Sequence, residues 1–591
     1  MLDEGRLALG HRRLAILDTT DAGAQPMRSE SGRYDITYNG EVYDFVELRR
    51  QLENDGFRFR SDSDTEVILA AYERWGADCL LRFNGMWSLA IWDRQERRLL
   101  LARDRFGVKP LYLAVDAHRV AFASELKAFR LLDGFDAAPD MDAVAARLAL
   151  TFHERVLLRG VEMVPAGWCV EFTPEGSRRW RWWHTLDHLV TPPRDPDAQA
   201  EELRALLVDA CRLRMRGDVP VATSLSGGLD SSSVVNALAL AHAAGHTMRE
   251  APEWRHAFIA GFPGTAQDET DDARLAAAHA GAIPVERQFS DDVSREDIEA
   301  FLWQFEEIVG VFGLAPWMLY RDMRRQGVVV SIDGHGADEL FGGYHLHVAL
   351  ALLRGRGALR EPWRTRDLVD TWRRMHRPGL IDRQSNAALV AAATLPGALA
   401  VGRRLPVVRG RLREVLGHLE QHARGRDATL DADARAEADA IDALGPLTGA
   451  LYRSFHHVSL PRILRAFDAH SMGHGVEVRM PFLDWRIVRL AFSLPDQRKV
   501  GGGFTKRVLR DAMRGVLPDR IRLRRDKLGY VAPVARWLDG GLGEWLWDEV
   551  NDPEFLRSGL WDGKAIHAIA AANRRSATPW RHEDARSALL A

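Results

Sequence analysis

The chain has 591 residues, a formal net charge of −3, 46% hydrophobic and 28% charged residues. That length allows two or more domains, and the near-balanced charge gives no global field toward nucleic acid or an anionic membrane. The cysteines Cys79, Cys169 and Cys211 have neither metal nor redox spacing, which argues against zinc and for a reducing, cytoplasmic setting. The opening Met1-Leu2-Asp3 has no signal-peptide character. The longest apolar stretch, 387–401, is broken by Pro396 and Gly397 and is too short to span a bilayer.

Residues 1–190 read as short strands and helices. Alternation at 34–38 and apolar runs at 86–92, 99–102 and 120–123 predict strands, and 45–54 and 66–75 predict helices. Antiparallel sheet with helices is the economical arrangement. Arg13 is suited to a carboxylate, Glu41 and Asp64 to an ammonium group, and Asn39 with the Gly40 N–H to an oxyanion. Taken singly, Asn39-Gly40 is also a common hairpin pair and 61–66 a good helix cap.

A Pro-rich linker at 191–196 separates this part from residues 197–591. A helix over 201–214 leads into a strand, 219–225, a loop, Ser226-Gly227-Gly228, and an Ala- and Leu-rich helix from Ser231 to about 244. Strand, small-residue loop and helix N-terminus together make a phosphate cradle. Ser226, Ser231 and Ser232 supply hydroxyls, and Asp230 beside phosphates calls for a cation such as Mg2+. No Gly-Lys-Ser/Thr follows, so this is not a Walker A loop. Further core strands are predicted at 256–262 and 327–332. The latter is a Val-rich run that ends in Asp333-Gly334-His335-Gly336-Ala337-Asp338-Glu339. Both glycine-rich segments then fall at strand carboxyl ends, where doubly wound sheets hold ligands. Asp338 offers a second metal carboxylate, and Glu339 could also serve. Residues 345–450 read as helical. The arginines of 401–426 read as a solvated helical face rather than an RNA-binding patch. Residues 476–484 read as a strand and turn, with Glu477 able to orient a neighbouring base or cation and Arg479 suited to a carboxylate or phosphate. Gly501-Gly502-Gly503 reads as a hinge before a helix at Lys506.

Several strings point further. The loop Ser226-Gly227-Gly228-Leu229-Asp230-Ser231 resembles the pyrophosphatase loop of the adenine-nucleotide alpha-hydrolase superfamily. His11 to Asp18, Tyr38-Asn39-Gly40-Glu41-Val42-Tyr43, Ser63-Asp64-Thr65-Glu66 and Ala102 to Tyr112 resemble the glutaminase domain of glutamine-dependent asparagine synthetases. The segments 333–344, 468–484 and 525–530 resemble three later signatures of that family. The resemblance implies an α/β multidomain protein: an N-terminal Ntn-hydrolase-type αββα glutaminase sandwich (1–190) and a C-terminal Rossmann-like ATP-pyrophosphatase domain (197–591).

It also implies the site assignments. Glutamine would be bound by Arg13, Asn39, Gly40, Glu41 and Asp64. ATP would be bound by Leu225, Ser226, Gly227, Gly228, Asp230, Ser231, Ser232, Phe258, Asp333 and Gly334, with Mg2+ on Asp230 and Asp338. Lys527, His335 and Glu477 would be catalytic. Aspartate, ATP and glutamine or ammonia would give asparagine through a β-aspartyl-AMP. The partners are then small molecules, not nucleic acid or membrane, and a homodimer is a possible assembly. Two departures stand out. His335 replaces the family's Glu, thought to assist deprotonation of the attacking ammonia. The family's N-terminal Cys nucleophile and its Arg-Gly-Pro-Asp segment have no counterpart, so this chain as written is expected not to hydrolyse glutamine. Either the start lies too far downstream or glutaminase activity is lost, and the retained glutamine-pocket residues favour the first. An amide-forming tailoring enzyme of the β-lactam synthetase or lasso-peptide cyclase type, or a catalytically silent scaffold, stays open.

Overall fold

The computed structural model describes residues 6–148, 155–245, 248–265, 268–289, 293–308, 313–354, 362–375, 432–525, 532 and 534–575. The N-terminal part holds two antiparallel sheets. The larger has six strands in the order β1 (Met27–Arg28), β2 (Tyr34–Val42), β3 (Gly85–Asp93), β4 (Arg98–Arg103), β8 (Trp168–Thr173) and β9 (Gly176–Arg181). The smaller orders β6 (Val120–Ala123), β5 (Tyr112–Val115) and β7 (Glu162–Met163).

Period-two alternation explains how the layers stack. In β3, Trp87, Leu89 and Ile91 join the core under the helices Phe45–Asn54 and Asp64–Trp75, while Ala90 and Trp92 meet Leu113 from the smaller sheet and Leu111 just before it. β4 divides the same way, Leu100 and Ala102 one way, Leu99 and Leu101 the other. The larger sheet is thus covered by helices on one face and by a second sheet on the other.

The C-terminal part is built on a five-stranded parallel sheet, β12 (Ile283–Gln288), β11 (His256–Gly261), β10 (Val221–Ser224), β13 (Val330–Ile332) and β14 (Glu477–Arg479), in that spatial order. The chain runs from β10 outward through β11 to β12, then returns to the other side of β10 as β13. The strand order therefore reverses between β10 and β13, the place where such sheets hold ligands. The core around this sheet also takes in Ile16, Tyr43, Met86, Phe106 and Val108 from the N-terminal part. Across the same interface buried Arg216 donates to the Tyr43 carbonyl and to both Glu47 carboxylate oxygens, each at 2.6 Å.

Several expectations shift by a few residues. The helix after the loop runs from Leu229 to Ala243, because Gly228 takes an extended N-cap conformation and Leu229 already turns. Of the Val-rich run, only Val330–Ile332 pairs as strand. Strand β12 had no strong signal: it is a partly exposed edge strand carrying Pro284, which an edge tolerates because one side needs no donor. In the 345–450 stretch, His345–Arg354, Pro362–Met375, Ala432–Ala443 and Pro446–Arg453 are helices, and the arginines of 401–426 lie outside the described residues.

The helix Ser459–Met472 turns His470 inward, 3% exposed, among the rings of Phe301, Phe305 and Phe467 at 5.2, 4.8 and 6.0 Å. Neither ring nitrogen has a hydrogen-bond partner. Burial pushes this imidazole from the ordinary 6.5 down to about 3. The unfolded chain takes up its proton as pH falls through 6.5, whereas the folded chain does so only near 3, so stability is lost across that window. His470→Phe should flatten the fall of the urea midpoint between pH 6.5 and 4, recovering on the order of 3 kcal/mol at the acid end. An unchanged slope would show that other groups set the acid limit.

Candidate functional site

Two clusters of polar residues are set into this frame. The first lies at the strand reversal. Gly227 has φ +74, and a Cβ there would fall 2.6 Å from the Ala273 nitrogen, so both conformation and space demand glycine. The turn is fixed internally: Ser231 Oγ accepts from the Ser226 N–H at 3.2 Å and lies 3.1 Å from Ser226 Oγ, and Gly228 N–H donates to Ser226 Oγ at 3.3 Å. The loop after β13 presses against it, since a Cβ on Gly334 would lie 2.8 Å from the Ser231 nitrogen.

Asp230 and Asp338 converge here on Lys506. Its Nζ lies 2.5 Å from Asp230 Oδ2 and 2.6 Å from Asp338 Oδ1, with all three side chains largely buried. In sequence Lys506 reads only as the start of a helix. The structure gives it the left-handed conformation, φ +52, as the N-cap of Arg507–Ala512. Gly343 makes room for the pair: a Cβ there would fall 1.7 Å from Asp338 Oδ1 and 2.3 Å from Lys506 Cε. A small cavity of about 60 Å³ opens between Ser226, Gly228, Asp230 and Gly343, walled by Lys506, Arg510, Arg524 and Arg525. Arg510 is held to the Thr505 carbonyl, and burial lowers its guanidinium to about 10. Arg524 reaches Glu269 at 2.5 Å and Asp272 at 3.0 Å. Four cations beside a helix N-terminus suit a polyanion.

Two carboxylates already meeting one ammonium can also meet a divalent cation. No group of three or more metal-ligating side chains occurs among the described residues, so water and the anion itself would have to complete the shell. Glu339 is no substitute for Asp338. It is turned inward, accepts from Tyr344 Oη at 2.7 Å and is pushed up to about 7 by burial.

Other sequence candidates at this end divide. Ser232 is fully buried, one helical step round from Ser231; its N–H donates to the Gly228 carbonyl at 3.1 Å, but its hydroxyl faces the core and brings no donor to the loop. Leu225 and Phe258 are core residues joined by a backbone bond, Leu225 N–H to the Phe258 carbonyl at 2.8 Å. Asp333 is buried and bonded to Tyr320, Ser331 and Ser224. His335 lies over the Phe467 ring with centroids 3.9 Å apart, and its Nε2 is 3.7 Å from Asp333 Oδ2. Lys527 lies outside the described residues. Glu477 corrects an expectation. It opens β14, at the amino end of the parallel sheet, and faces away from the loop; Arg479 Nε donates to it at 2.9 Å. Arg479 is fully buried, lies 3.3 Å from Glu41 and is spent on protein partners.

The second cluster lines a cavity of about 270 Å³ in the N-terminal part. Arg13, Asn39, Gly40, Glu41 and Asp64 all lie on its wall, with His11, Gln25, Ser124 and, from the C-terminal part, Met472 and Glu477. Gly40 sits where a Cβ would lie 2.0 Å from the Met86 carbonyl oxygen, so its backbone forms the wall. Asn39 Nδ2 donates to Ser124 Oγ at 3.1 Å. Arg13 is engaged by the carbonyls of Leu17 and Asp18, each at 2.6 Å, and of Thr20 at 3.1 Å. Asp64 accepts from the Val42 N–H and from Tyr38 Oη, each at 2.9 Å, yet burial raises its carboxyl to about 6. Glu41 is pushed well up by burial and then by Asp64, despite Arg479. Two under-compensated carboxyls on one wall favour a cationic group such as an ammonium. The three thiols are buried, pushed upward by that burial, and absent from this wall.

A polar cavity in an antiparallel sandwich and an anion-matched loop at the reversal of a parallel sheet define a two-centre enzyme. The family described as asparagine synthase matches residues 202–590, and the glutamine amidotransferase domain matches residues 1–183. The chain is 28% identical over 562 residues to an asparagine synthetase [glutamine-hydrolyzing] 1 of Bacillus subtilis, covering 93% of this chain and 83% of that one. It is 30% identical over 571 residues, with the same coverage, to a putative asparagine synthetase [glutamine-hydrolyzing] of Mycobacterium bovis. It is 25% identical over 605 residues to the amidase chry2 of Gibberella zeae, covering 95% and 86%. The chain belongs to the asparagine synthase family.

Removing the Lys506 charge should leave Asp230 and Asp338 facing each other, a site that a small divalent cation would fill. Millimolar Mg2+ should therefore raise the thermal midpoint of Lys506→Met more than that of the unaltered protein. Equal responses would argue against the two carboxylates sharing a cation.

Proposed function

We propose that the protein is an ATP-dependent amide-forming ligase that makes asparagine from aspartate with ammonia or glutamine nitrogen. The carrying observation is the meeting of the Ser226–Ser231 turn, Asp230 and Asp338 on Lys506 at the strand reversal. ATP would lie with its phosphates on the loop amides and the Ser226 and Ser231 hydroxyls. Arg524 and Arg525 would screen them. Mg2+, held by Asp230 and Asp338, would neutralise phosphate charge when bound.

The chemistry needs two steps. An oxygen of the aspartate β-carboxylate bonds to the α-phosphorus, and the bond to the leaving pyrophosphate breaks. Lys506, freed from one carboxylate, can follow the negative charge that builds on the departing oxygens. The nitrogen of ammonia then bonds to the acyl carbon, AMP leaves, and the surplus proton passes to a base, for which His335 is suited. The N-terminal cavity fits an amino acid: acidic Glu41 and Asp64 for the α-ammonium, Asn39 and the Gly40 backbone for the amide end. None of the three buried thiols lies on the wall of this cavity.

A second reading is amide formation on a carboxylate other than aspartate. His335 in the place of the family's Glu favours it, because in the family that Glu is the residue linked to deprotonation of the attacking ammonia.

The test is pyrophosphate release with ATP, Mg2+ and aspartate, with ammonia and glutamine supplied separately. One pyrophosphate per asparagine with ammonia is expected. No release with aspartate, but release with another carboxylate, would move the assignment to the second reading. Asp230→Ala and Lys506→Ala should each slow release by about 10²–10³-fold, and turnover unchanged in both would sink the site assignment.

A further inference from the structure

We infer that Asp333 is a positioning residue for His335, and that the two act as an imidazole–carboxylate pair in place of a single acidic base. The inference rests on the reading of His335 as the acceptor of the amine proton. Asp333 is only 2% exposed, and three elements hold it. Tyr320 Oη, from the helix Leu314–Arg325, donates to Oδ2 at 2.6 Å. Ser331 Oγ on β13 and the Ser224 N–H at the end of β10 donate to Oδ1 at 2.6 and 3.2 Å. These donors offset the cost of burying the carboxylate and deny it another orientation. The Asp333 oxygen nearer the ring is Oδ2, 3.7 Å from His335 Nε2.

The imidazole is confined in turn. The Phe467 ring lies against it, and the side chain is 23% exposed. On its N-terminal side Gly334 is wedged against the backbone of Asp230 and Ser231. On the other side Gly336 has φ +93, and a Cβ there would lie 2.7 Å from Leu483 Cδ2. The loop therefore cannot drift from the Ser226–Ser231 turn. A fixed carboxylate facing Nε2 favours the tautomer with its proton there, which leaves the Nδ1 lone pair as the acceptor. Catalytic hydrogen bonds are often long in unliganded structures and tighten in the substrate complex, which a small rotation of the ring would accomplish here. Nδ1 then takes the proton from the amine nitrogen while Nε2–H stays directed at the carboxylate.

A purely structural Asp333 would look different in kinetics. The experiment measures aspartate-dependent exchange of labelled pyrophosphate into ATP, which reads the first step, and ammonia-dependent asparagine formation, which reads both. Asp333→Asn should lower kcat for asparagine about 10²-fold or more beyond any loss it causes in exchange, with KM for ammonia little changed. In the His335→Gln background the same change should cost nothing more, because its effect runs through the ring. In His335→Glu two carboxylates would face each other, so Asp333→Asn should raise activity there, reversing its sign.

Equal loss of exchange and asparagine formation in Asp333→Asn, or losses that add to those of His335→Gln, would overturn the inference. So would a His335→Glu protein as active as the unaltered one, a result that needs no substitution at Asp333. Full asparagine formation by His335→Gln would instead remove the reading of His335 itself. Absence of any exchange with aspartate in the unaltered protein would count against the function and not against the pair.

Discussion

Two carboxylates from different loops meet one ammonium, and the C-terminal half depends on that meeting. Asp230 opens one helix, Asp338 another, and Lys506 reaches both from a third segment. In a poorly solvated crevice the two acids would repel each other strongly without a cation between them. The geometry around them follows. Gly227, Gly334 and Gly343 sit where side chains would collide with neighbouring backbone or with Asp338 itself. Lys506 adopts a left-handed conformation that costs a non-glycine residue on the order of 1–2 kcal/mol. The preceding turn holds it there: Gly502 N–H donates to Asp367 Oδ1 at 2.7 Å and Gly503 N–H to Thr371 Oγ1 at 3.1 Å.

A second set of buried charges joins the halves. Glu41 on the N-terminal cavity lies 3.3 Å from Arg479; Arg479 holds Glu477; Lys109 lies 3.9 Å from Glu477 and 3.1 Å from Asp468. Each member is paired, as burial requires. Asp468 neighbours Phe467, the residue packed on His335, so the ionic chain that begins at the cavity wall ends beside the ring that lies on the loop after β13.

The elements legible in sequence were those whose burial follows a simple period. In β2 the alternation of Tyr34, Ile36 and Tyr38 with polar neighbours marks one face, and the run before the Ser226 loop marks a strand buried on both. The five residues expected on the N-terminal cavity do share its wall. Lys506 was not legible. In Thr505-Lys506-Arg507-Val508 it reads as an ordinary helix-start lysine, and nothing local reports an aspartate 276 positions away. Ser232 and Glu477 were misplaced for a related reason. A motif shows which residues are near in sequence, but helical phase turns Ser232 into the core, and strand polarity puts Glu477 at the wrong end of the sheet. Strand β12 escaped because an edge can be polar.

That strand polarity also explains how one short strand serves both centres. β14 is three residues long and runs parallel to β13, Val330 beside Glu477 and Ile332 beside Arg479. Its amino end reaches the N-terminal cavity through Glu477. Beside its carboxyl end, the Asp333 N–H that follows β13 donates to the Arg479 carbonyl at 2.8 Å. At about 3.3 Å per residue, the side chain at the cavity and the backbone that anchors Asp333 are separated by only about 7 Å of strand. The register of this parallel strand is tightly specified: a shift of one residue would turn Glu477 and Arg479 to the opposite face and break their ion pairs with Glu41, Lys109 and each other. The register of β14 is therefore the constraint through which the two centres hold a fixed relation, and the ion pairs on Arg479 are what fix that register.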